Sequence, residues 1–128
     1  MDFVCWITPI KEGKTDAVRR YCQSLETDRR ADYEASQRRI KTTKEVFFLW
    51  PGPDRDYIVL YMEAPDMEFS LKTWDATNLP FETYGKGNWA EFIDGVPQPL
   101  WAPPGSQYVL EPLSFYEEGE PSREIKTA

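Results

Sequence analysis

An α+β fold with its elements in the order β-α-β-β-α-β is what the sequence predicts, and three observations predict it. A strand-like run at residues 3–10 leads into a long amphipathic stretch, about residues 16–41. Two more strand-like runs, 45–50 and 57–63, flank a turn made of Pro51, Gly52, Pro53 and Asp54. A second helical stretch then precedes a last strand at 108–116. That order is the split βαβ arrangement of ferredoxin-like domains. With 128 residues, the chain fits one domain over residues 1–116 and a polar tail over 117–128.

Each element has a local reason. In the first strand Phe3, Cys5 and Ile7 point one way, and Val4, Trp6 and Thr8 the other. Pro9 ends it and Gly13 turns the chain. Thr15 or Asp16 is placed to cap the helix that follows. The inner stripe of that helix runs Val18, Tyr21, Cys22, Leu25, then Arg29, Tyr33, Ser36 and Ile40. Thr27 and Asp28, both weak helix formers, predict a kink. The Pro-Gly-Pro-Asp turn makes the second and third strands a hairpin. Asp66 caps a helix with Met67, Leu71 and Trp74 on its inner side, and Pro80 breaks it. A further helical piece carries Trp89, Phe92 and Ile93. Residues 95–107 hold four prolines and two glycines and predict a loop without regular structure, in which Trp101 covers a cavity mouth or a partner chain.

Composition narrows the function. A net charge of -7 with a pI near 4.6 repels phosphate backbones, so no nucleic-acid partner is expected. The basic cluster Arg29, Arg30, Arg38, Arg39 and Lys41 is interleaved with acidic residues and reads as a solvated helix face. Cys5 and Cys22 fall on apolar patterns and read as small hydrophobes in a reducing, cytoplasmic setting. Met1 runs directly into a strand, so no signal peptide is expected, and no apolar stretch is long enough for a membrane span. Histidine is absent. That excludes a Ser-His-Asp triad, a His-ligated haem and a His-rich zinc site. No tight Asp/Glu spacing suggests a metal, and no glycine-rich phosphate loop suggests a nucleotide. No cofactor is expected.

The runs Val46-Phe47-Phe48-Leu49-Trp50 and Ile58-Val59-Leu60-Tyr61-Met62 are apolar on both faces, as in a sheet buried on both sides. Helices cover one side, and a second copy of the sheet is expected on the other, making a homodimer. Polar residues on these buried tracks are the candidate catalytic groups: Arg29, Glu45, Tyr61 and Glu111, with Tyr33 beside them. A buried charge needs a partner. Arg29 paired with Glu45 or Glu111 is a structural ion pair on one reading. On the other, a desolvated carboxylate serves as acid or base while Arg29 or a tyrosine holds an oxyanion. Trp6, Trp50, Trp74, Trp89 and Trp101 are the candidate cavity walls. Asp75 and Glu82 read as plain surface.

The strand order, the two-sided strands, Ile7-Thr8-Pro9, Arg29-Arg30 and Glu45-Val46-Phe47-Phe48-Leu49 resemble the dimeric α+β barrel superfamily. Within it the chain resembles a small uncharacterised bacterial family, over about residues 3–115. That family tends to carry histidines where this chain has Leu79-Pro80-Phe81-Glu82-Thr83-Tyr84. The superfamily holds cofactor-free monooxygenases, muconolactone isomerases, polyketide cyclases and haem enzymes, and the lack of histidine argues against the haem branch. The resemblance implies a cofactor-independent enzyme on a small, mostly apolar intermediate of secondary metabolism, working by cyclisation, isomerisation or lyase chemistry. A cofactor-free oxygenase and a non-catalytic ligand-binding or assembly dimer are the rival readings.

Overall fold

In a computed structural model that describes residues 1–95, 98–99 and 111–122, an antiparallel sheet carries four helices. β1 (Asp2–Pro9) opens the chain. The following helix is two helices, α1 (Thr15–Glu26) and α2 (Arg30–Ile40), rather than one kinked rod. The Ser24 carbonyl accepts from the N–H groups of both Thr27 and Arg29, at 3.3 and 2.8 Å. The Thr27 hydroxyl meanwhile bonds back to the Gln23 carbonyl, the local competition that makes Thr a weak helix former. Neither expected residue caps α1: Lys14 holds that position, and the Thr15 hydroxyl donates to Asp56 instead.

β2 (Lys44–Pro51) and β3 (Asp56–Ala64) form the expected hairpin, with Trp50 opposite Tyr57. Its turn needs Gly52, because a Cβ there would meet the Arg55 carbonyl oxygen at 2.6 Å. The next helix is α3 (Met67–Ala76), whose Asp66 cap accepts from the Phe69 N–H as expected. Pro80 opens α4 (Pro80–Phe92), where its missing N–H costs nothing. Gln98–Pro99 then pair with Trp6 and Ile7 as a short strand, β4, inside the stretch expected to lack regular structure. β5 (Glu111–Glu117) is the last element.

The strand order is β4-β1-β3-β2-β5. β1 and β2 each run antiparallel to β3 between them, which is the split βαβ core of a ferredoxin-like α+β fold. The last strand departs from expectation. In the β-α-β-β-α-β order it should close the sheet beside β1. The short β4 holds that edge, and β5 pairs with β2 at the far edge, with a bulge between Phe47 and Phe48. Side chains fasten it there. Glu26 of α1 accepts from the Phe115 N–H at 2.7 Å, and Arg30 of α2 donates to the Phe115 carbonyl at 2.9 Å.

The main core lies between helices and sheet: Val18, Cys22 and Leu25 of α1 pack with Phe47, Leu49 and Ile58. The opposite sheet face carries Phe3, Val46, Phe48, Trp50, Val59 and Tyr61 by strand alternation. Among the described residues no helix is long and apolar enough to cross a membrane.

Candidate functional site

Between the sheet and the helices lies a cavity of about 220 Å³. The sheet supplies Trp6 and Thr8 from β1, Glu45 and Phe47 from β2, and Ile58 and Leu60 from β3. The helices supply Tyr33, Ser36 and Gln37 from α2, Trp74 from α3, and Phe81 and Trp89 from α4. Trp89 stacks on Phe47 with ring centroids 4.9 Å apart, so two walls brace each other. Gly85 of α4 lets the roof come close. A Cβ there would stand 2.9 Å from the Tyr21 hydroxyl and 3.3 Å from the Trp74 ring.

Glu45 is the buried carboxyl of this cavity, and its surroundings are specific. The Tyr33 hydroxyl donates to its Oε1 at 2.6 Å, and Gln37 Nε2 donates to the same oxygen at 3.0 Å. Neither bond reaches Oε2. Burial pushes the Glu45 carboxyl up from 4.5 to about 7, while the two donors pull the other way. Tyr33 is pushed well above its ordinary 10.0, first by burial and then by the Glu45 charge it faces. The arrangement is a carboxyl that titrates near neutral pH against apolar walls, with a phenol and an amide holding one of its oxygens. Such a group can take or give a proton.

Two polar atoms of the lining have no hydrogen-bond partner among the described residues: Ser36 Oγ and Gln37 Oε1. Both side chains are buried, Ser36 wholly so. Buried polar atoms are rarely left unpaired, and both of these can accept a hydrogen bond.

Of the expected site residues whose side chains are described, the cavity gathers Glu45, Tyr33, Trp6, Trp74 and Trp89, and not Arg29, Tyr61 or Trp50. Arg29 lies at the start of α2, half-buried, with its guanidinium 3.9 Å from the centre of the Tyr84 ring. It makes no ion pair with Glu45, because the helix break turns it off the inner stripe. Tyr61 is on the opposite sheet face, where it donates to Glu63 at 2.9 Å. Trp50 shares that face: it is an odd number of residues from Glu45 along β2, so the pleat points it away. Glu111 pairs through its backbone with Leu49, while its side chain, like Trp101, lies outside the described residues. Asp75 is exposed as expected, but Glu82 is not surface. It is 0% exposed and paired with Arg39 across α2 and α4.

Sequence reasoning missed Gln37, Phe47 and Phe81. For Phe47 the signal was present, since it is two residues from Glu45 and shares its face. Gln37 is one turn after Tyr33, and that spacing was a usable clue. Among the described residues, no group of three or more His, Cys, Asp or Glu could hold a metal ion.

No curated protein and no solved structure matches the chain. Residues 1–102 match the model of a family of unknown function, DUF6176, which takes in β1 to β4 and every helix, and the chain belongs to that family.

Proposed function

We propose that this protein is a cofactor-independent enzyme acting on a small, largely apolar molecule, an intermediate of secondary metabolism, by proton transfer through Glu45. The observation that carries the reading is the Glu45 carboxyl, buried among aromatic walls and pushed up to about 7 with Tyr33 and Gln37 on one oxygen only. A carboxyl near neutral can serve as base in one half of a reaction and acid in the other. Isomerisation, cyclisation or elimination next to a carbonyl needs little more than this group and a shaped cavity. The free cysteines Cys5 and Cys22 support a reducing, cytoplasmic setting.

The same proposal includes a homodimer joined through the outer sheet face, as in the superfamily the sequence resembles. Phe3, 69% exposed at the start of that face, supports it, as do the half-buried Phe48 and Tyr61 nearby.

The test is the titration of Glu45 itself, followed by carboxyl carbon NMR. The groups that feel its charge are Tyr33 on α2 and Tyr21 and Cys22 on α1, and Tyr116 lies opposite it on β5. All four are pushed upward, so none confuses a transition near neutral pH. A midpoint close to 7 is expected. A midpoint in the ordinary carboxylate range removes proton transfer by Glu45 and leaves the cavity as a binding site without acid–base chemistry.

A further inference from the structure

The polar atoms of the cavity are unequal in kind. Two of its donors, the Tyr33 hydroxyl and one N–H of Gln37 Nε2, are taken by Glu45 Oε1. What is left over accepts: Gln37 Oε1 only accepts, Glu45 Oε2 takes neither of those bonds, and the Ser36 hydroxyl can turn either way. Among the described residues no lysine or arginine lines the cavity to balance an anion. Size bounds the guest as well. An apolar cavity of about 150 Å³ takes benzene. The 220 Å³ here admits one ring with a substituent, or two small fused rings, and the flat walls of Trp74, Trp89 and Phe47 suit a flat guest.

We infer that the cavity is built for an uncharged, ring-sized molecule that donates a hydrogen bond, such as a phenol, an enol or a ring N–H, received by Ser36 Oγ, Gln37 Oε1 and Glu45 Oε2. The inference rests on reading this cavity as the substrate site. It adds which ligands pass. A ring carrying only acceptors leaves Gln37 Oε1 and Glu45 Oε2 unpaired. A ring carrying a donor satisfies what the fold leaves open, and it places its acidic proton on the free oxygen of the carboxyl.

Calorimetric titration of the full chain near pH 8, where the Glu45 carboxyl is ionised, with phenol, indole, toluene, benzoate and benzylamine tests this. A cavity that selects by shape alone prefers toluene, because phenol must give up its bonds to water. The inference reverses that order: phenol and indole should bind on the order of tenfold tighter than toluene, as a hydrogen bond to a charged acceptor warrants. Benzoate and benzylamine should both bind more weakly than phenol. Ser36→Ala, which deletes one small hydroxyl, should narrow the gap between phenol and toluene. Toluene equal to phenol overturns the inference yet leaves the proton-transfer reading to the Glu45 titration. Benzylamine or benzoate tightest also overturns it, in favour of a charged guest. If no ring binds at all, both the inference and the substrate-site reading fall, whatever Glu45 titrates at.

Discussion

A carboxyl kept half-neutral at neutral pH is a stability liability as well as a tool. The Glu45 value of about 7 lies above its ordinary 4.5, so the folded state favours the protonated form. Below 4.5 the group is neutral in both folded and unfolded chains and contributes no pH dependence. Between the two values the fold holds a proton that the unfolded chain releases, and stability falls as pH rises. Above 7 the whole penalty is present, about 3 kcal/mol. Glu45→Gln removes it while keeping an acceptor for Tyr33. The variant should therefore melt with the wild type near pH 4.5 and on the order of ten degrees above it near pH 8. Parallel melting curves at both ends, by scanning fluorimetry, would refute the raised value. Arg29 offers the contrast. Its guanidinium lies over the Tyr84 ring and makes no ion pair with Glu45, so Arg29→Ala should cost within about 1 kcal/mol. A loss of several kcal/mol would return Arg29 to the buried ion pair that its helical spacing suggests.

Among the elements, β5 has the most to say about what holds the sheet together. Both outward backbone groups of Phe115 are taken by side chains from the helix pair, Glu26 and Arg30. Arg30 also reaches Glu34 at 2.9 Å, and its side chain is only 12% exposed. Arg30→Ala should cost roughly 3 kcal/mol, since it removes a largely buried cation from Glu26, Glu34 and the Phe115 carbonyl. It should also speed amide exchange at Phe115 ahead of the rest of the sheet. Exchange unchanged at Phe115 would mean that the clasp does not secure the strand. The same element shows where the sequence stops being readable. Alternation and turn residues mark which stretches are strands, because those signals are local. Which edge a strand joins is decided by Glu26 and Phe115, 89 residues apart, and no local pattern carries that. The helix break is an intermediate case. Thr27 and Asp28 announce a weakness, but only the doubled use of the Ser24 carbonyl makes it a full interruption. In the site, Glu45 and Tyr33 were readable because each is a polar residue on a buried track. Gln37 was legible only through its place one turn after Tyr33, since a glutamine just off the stripe otherwise reads as solvent-facing.

On the scale of the whole molecule, the family match over residues 1–102 covers the split βαβ core and ends before β5. The cavity draws its described lining from that core, so a chain cut off before β5 would still contain every lining residue among those described. The proposed dimer through the outer sheet face is tested at Phe3. Phe3→Asp places a charge on an exposed side chain and should leave the protomer's fold intact. In sedimentation it should convert a dimer into a monomer. A wild type that already sediments as a monomer would refute the dimer outright, and a variant that stays dimeric would move the interface elsewhere.

Tyr33, Gln37 and Glu45 come from one short stretch that turns from α2 into β2. The spacing is a tyrosine, three residues, a glutamine, seven residues, a glutamate. A constellation that local can be inherited, lost or transplanted as a single unit, unlike one assembled from distant strands. It is therefore a fingerprint by which relatives can be sorted. Chains that keep all three residues should share the titrating carboxyl. Chains that keep the strands but replace the tyrosine or the glutamine should hold a glutamate without its clamp, and differ in how that carboxyl titrates rather than in how they fold.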